Sequence, residues 1–170
     1  MNLLVMAVAL LVSAALQLAL PGLTPLGQAK APLILSVVLY YALHRSLALM
    51  AIAAIAGGVL CDSLEELPMG FSAAVFSVLG IASWLCRARV FSARVLTHMV
   101  LGCAAGAGLT IGFYVLLMLS EENLRAVAGH RLALKTIGAA LLGVFLVPLV
   151  FSVLERLDQM MGNVVVESSV

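Results

Sequence analysis

The sequence predicts an all-α, polytopic membrane helical bundle of six transmembrane helices, and three observations predict it. Of the 170 residues, 64% are hydrophobic and only 10% charged, whereas soluble domains are about half apolar and about a quarter charged. Apolar runs bounded by charges or by Pro and Gly recur along the whole length, with a mean hydropathy of +1.21. No polar stretch long enough to bury a core of its own interrupts them, so residues 1–170 read as a single membrane domain.

Cutting the chain at its charges leaves apolar segments at 3–20, 31–43, 47–61, 71–86, 95–119 and 136–154. The first lacks the basic n-region of a secretory signal, is longer than a usual h-region and leads into further spans, so it reads as a helix that stays. The second starts at Pro32 and ends before His44, a rise of about 20 Å against a hydrocarbon core of about 30 Å. A re-entrant hairpin over 31–61 is the alternative, but it would set Arg45 near mid-membrane. That costs about 2.5–3.5 kcal/mol, and the neighbouring apolar runs offer no obvious acid, so two short spans with Arg45 at an interface are favoured.

The third and fifth segments carry small residues four apart: Ala53 and Gly57, Ala54 and Gly58, Gly102 and Gly106, Gly108 and Gly112. Lipid is as apolar as Leu, so helices in it associate through close backbone fit, and these faces supply it. Between the third and fourth segments lies Cys61-Asp62-Ser63-Leu64-Glu65-Glu66-Leu67-Pro68-Met69-Gly70. Pro68 cannot continue a helix and Gly70 tolerates a reversal, so this is a compact hairpin in which Asp62 and Glu65 read as an Asp-x-x-Glu cap. The run 120–135 has Leu124, Val127, Ala128 and Leu132 at helical spacing behind Ser120; it is either a helix on the membrane surface or an extension of the fifth span.

Six spans sort the charges onto two sides. The short loop 87–94 concentrates Arg87, Arg89 and Arg94, and short basic loops carry most of the positive-inside signal, so both termini are expected in the cytoplasm. Every charged residue falls at or near a segment end, which leaves the spans free of buried charge and gives ion coupling no support. A net charge of +1 without a basic stripe excludes a nucleic-acid partner. Cys61, Cys86 and Cys103 lack a CxxC spacing and read as small packing residues. His44, His98 and His130 lack ligand-pair spacing, so neither a metal nor a cofactor is implied. Gly70-Phe71-Ser72-Ala73 matches a GxS nucleophile motif only thinly, with no His at matching depth, and no enzyme activity is expected. Ser36, Tyr40 and His44 share one helix face, and this polar stripe either lines a contact with a helix or small ligand or bonds within the bundle.

The order Pro32, then Leu39-Tyr40-Tyr41-Ala42-Leu43-His44-Arg45, then Gly58-Val59-Leu60-Cys61-Asp62, then Pro68-Met69-Gly70 resembles the rod shape-determining MreD family of bacteria. Pro148 and the exit at Glu155-Arg156 resemble that family's last span, whereas Leu33 and Gly143 stand where many members carry polar residues. The resemblance implies a non-enzymatic inner-membrane scaffold of the cell-elongation complex. Such a protein binds MreC and through it links MreB filaments to peptidoglycan synthases. It also implies that Gly58, Asp62, Pro68 and Gly70 shape the outer hairpin. Pro32, Tyr40, Tyr41, Arg45, Gly102, Gly106 and Pro148 would then serve partner or packing contacts, and the basic loop would dock partners. The family's fold is expected to be similar to the substrate-binding components of energy-coupling-factor vitamin transporters. A ligand-binding role is therefore the alternative, with Ser36, Tyr40, Thr110 and Tyr114 as its candidate residues.

Overall fold

A computed structural model describes residues 2–20, 31–65, 69–90, 95–120 and 129–160. These form six helices: α1 (Asn2–Ala19), α2 (Leu33–His44), α3 (Leu47–Glu65), α4 (Phe71–Val90), α5 (Val95–Ser120) and α6 (Gly129–Met160). Three stretches, Leu47–Leu64, Thr97–Val115 and Ala133–Met160, are long and apolar enough to cross a membrane; Leu3–Ala19, Leu33–His44 and Phe71–Arg87 are apolar but shorter.

Several helices outrun the segments cut at charges. α3 continues through Asp62 to Glu65, α4 carries Arg87 and Arg89 as helical residues, and α6 takes in both Lys135 and Asp158. The physical reason is that a charge ends the apolar run but not the i to i−4 hydrogen bonding, which continues into the polar zone. Two expectations are corrected by this. The basic stretch begins as the end of a helix, not as a loop, and residues 129–135 are the first turns of α6; 121–128 lie outside the described residues.

α2 is the centre of the bundle. All eleven residues from Leu33 to Leu43 are buried, and the helix packs against α1, α3, α4 and α6. A helix apolar all round has no face to offer water and is stable only when surrounded. Pro32 opens it, with its carbonyl accepting both the Ser36 amide at 3.0 Å and the Ser36 hydroxyl at 2.8 Å. The Arg45 amide closes it on the Tyr41 carbonyl at 3.1 Å, and α3 begins two residues later.

Small residues set the helix spacings around this centre. A Cβ at Gly58 would strike the Ala73 backbone where α3 meets α4, and one at Gly102 or Gly143 would strike the other's carbonyl where α5 meets α6. Gly106 lies equally close to the Ala139 carbonyl, so the 102/106 face packs inside the chain. Outward, Ile137, Leu141, Phe145, Leu149 and Val153 form an exposed stripe at four-residue spacing on α6, and Leu4, Val8, Leu11 and Leu16 are exposed on α1. Continuous apolar faces of this kind suit lipid as the solvent.

Candidate functional site

Asp62 sits in the last turn of α3 and is 1% exposed. One carboxylate oxygen accepts the Gly70 amide at 2.7 Å and the other accepts the Ser72 amide at 2.9 Å. Those amides begin α4, whose first turn has donors with no intrahelical acceptor. Asp62 therefore caps the next helix across the hairpin. The expected Asp-x-x-Glu cap is corrected: Asp62 does not precede a helix that holds Glu65 but lies with it inside α3, where the neighbouring amides are already bonded. Gly58 is one turn before Asp62 and permits the contact with Ala73 that brings α4 within reach. Gly70 completes the geometry with a φ of +100°, and its carbonyl accepts the Ala74 amide at 2.9 Å. Pro68 lies outside the described residues.

At the opposite end of the bundle a second aspartate is buried. Asp158, in the last turns of α6 and 4% exposed, accepts the Tyr40 hydroxyl at 2.7 Å and Arg45 Nη2 at 2.9 Å on the same Oδ2. Arg45 and Asp158 side chains are 13% and 5% exposed, so this ion pair is largely shielded from water. The Tyr40 ring stacks on His44 with centroids 4.5 Å apart and meets Phe151 edge-on at 5.5 Å. His44 Nε2 approaches Glu155 at 3.9 Å, and His98 packs against Phe151 at 4.9 Å. Arg45 Nε is buried without a hydrogen-bond acceptor among the described residues.

This cluster corrects two expectations. The helices are not free of buried charge, and Arg45 does have an acid. The missed signal was periodicity, since Val147, Phe151, Leu154 and Asp158 continue one buried face at spacings of three and four past the apparent end of the last apolar run. The polar stripe of α2 bonds within the bundle: Ser36 to Pro32, Tyr40 to Asp158, and His44 Nδ1 at 3.2 Å from the Tyr40 carbonyl.

Tyr40 and Tyr41 are 1% and 2% exposed, so they serve internal packing rather than an outer surface. Pro148 lies within α6, half-buried. Thr110 returns its hydroxyl to the Gly106 carbonyl at 3.2 Å, and it does not join Ser36 and Tyr40 in a cluster of free polar groups. Cys61 is buried, but Cys86 and Cys103 are exposed, so packing inside the bundle accounts for the first alone. The Ser72 hydroxyl is buried without a partner among the described residues, while His44 and His98 sit at the far end around Phe151. That separation gives Ser72 no general base from either. The described residues contain no group of three or more His, Cys, Asp or Glu arranged to hold a metal ion.

Arg87 is exposed, with its guanidinium carbon 4.9 Å from the centre of the Trp84 ring. Arg89 follows within α4, and Arg94 lies outside the described residues. The chain matches no protein-family model, no curated protein and no solved structure.

Proposed function

We propose that this chain is a non-enzymatic scaffold subunit of a bacterial cell-elongation complex. In this reading it crosses the inner membrane six times with both termini in the cytoplasm. It binds an MreC-like bitopic protein and, through it, connects MreB filaments with peptidoglycan synthases. The observation that supports the reading is the joint role of Gly58, Asp62 and Gly70. The Gly-x-x-x-Asp element and Gly70, both part of the MreD resemblance, meet through hydrogen bonds from the Gly70 and Ser72 amides to Asp62. A motif with that physical purpose holds an outer turn in one shape, which suits presentation to a partner. The short α2 is compatible with six spans, since a helix of about 18 Å enclosed by its neighbours need not match the lipid thickness itself.

The test is rescue and capture. In a rod-shaped bacterium depleted of its own MreD-type protein, the wild-type chain should restore rod shape, and it should bring down an MreC-like protein from native membranes. Asp62→Ala at equal membrane abundance should lose both. Round cells with the wild-type chain, or full rescue by Asp62→Ala, would count against the reading.

A further inference from the structure

The far end of α4 carries a cation that nothing within the described residues neutralises. At the same end of the bundle, Asp158 is taken by Arg45, and Glu155 faces His44. Arg87 is exposed, and its guanidinium stacks over the indole of Trp84. Stacking of this kind restrains the side chain while leaving the N–H edges of the guanidinium available. Immediately before it, Val78, Ile81 and Leu85 are 66%, 45% and 67% exposed, so an outward apolar face runs up to this cation. Arg89 stands one further turn beyond Leu85 along α4.

An apolar face ending in a restrained guanidinium has the order of groups of a phospholipid read from chain to headgroup. We propose that the end of α4 is a binding site for an anionic glycerophospholipid, with Arg87 taking the phosphodiester and the Val78, Ile81 and Leu85 face taking an acyl chain. A planar fork of N–H donors suits a phosphate, and a Trp beside it suits the headgroup boundary. The site rests on the membrane reading of the fold and is independent of the cell-elongation proposal.

Trp84 is the single tryptophan of the chain, so its fluorescence reports on this site alone. The full-length protein is reconstituted in bilayers of phosphatidylcholine and phosphatidylglycerol, and quenching is compared when one or the other carries brominated chains. The wild-type chain should favour brominated phosphatidylglycerol roughly fivefold, the factor equivalent to about 1 kcal/mol for one basic residue at an anionic surface. Arg87→Gln should bring the ratio to about one, Arg87→Lys should keep part of it, and Arg156→Gln on α6 should leave it in place. Unchanged helicity by circular dichroism separates loss of the site from loss of the fold. Equal quenching by both lipids in the wild-type chain, no quenching by either, an unaltered ratio in Arg87→Gln, or displacement by millimolar inorganic phosphate would each overturn the proposal.

Discussion

Two aspartates are buried at opposite ends of this bundle, and they are satisfied in different ways. Asp62 receives two backbone amides at the start of a helix that begins nine residues later, and no cation among the described residues pairs with it. Asp158 receives a phenol and a guanidinium from residues more than 110 positions away in sequence. The first arrangement is a helix cap reached across a turn, with the positive end of α4 supplying the compensating field. The second is an ion pair whose partners must be brought together by the packing of α2 against α6. A cap is local and forms with its hairpin. An ion pair between distant segments reports that the whole bundle has closed.

That contrast can be broken most forcefully at Asp158. Replacing it with Ala strands Arg45 and Tyr40, and removing one member of a buried pair typically costs about 3–5 kcal/mol. Equilibrium unfolding in mixed micelles should show that loss. The double variant Arg45→Met with Asp158→Leu should recover much of it, because desolvating an ion pair offsets most of its attraction. If the double variant is as unstable as Asp158→Ala, the pair does more than neutralise itself.

Asp62→Ala leaves the buried Ser72 amide without an acceptor, at about 1–3 kcal/mol, while the amide of the exposed Gly70 can turn to water. Hydrogen exchange should locate the effect in the first turn of α4, with the α2–α6 end unchanged. Gly70→Ala meets no atom within 4 Å of the new Cβ, so its cost is the backbone angle alone, about 1–2 kcal/mol. An equal loss in an Asp62→Ala background would show that the angle and the cap act separately. The smallest effect belongs to Glu155, whose side chain is 44% exposed opposite His44. Glu155→Gln should alter stability by no more than about 1 kcal/mol, and less at high salt.

The two ends were also unequally legible. Asp62, Pro68 and Gly70 lie within a few residues of one another, and a turn residue beside an acid carries its own local logic, so the hairpin could be read in order along the chain. Even there, which helix Asp62 caps depended on α3 extending past it. Asp158 had no such neighbourhood. It follows a charged Glu155-Arg156 pair that looks like an exit from the membrane, and its partners sit in another segment entirely. The short second segment was legible only in part: its length against lipid thickness could be read from the sequence, but not that its neighbours enclose it on every side.

What the sequence determined by itself was the number of helices, their apolar character, the small faces and the hairpin after Asp62. Each of these depends on composition, on a spacing of three or four residues, or on the backbone freedom of one glycine. Only the tertiary structure decided that α2 is the enclosed centre, that Gly102 and Gly106 meet α6, and that Arg45 finds Asp158. Those outcomes depend on which helix faces which, and in a chain apolar on nearly every face the hydrophobic pattern carries little of that information. The pairings are chosen instead by a few close backbone contacts and by the need to satisfy each buried charge.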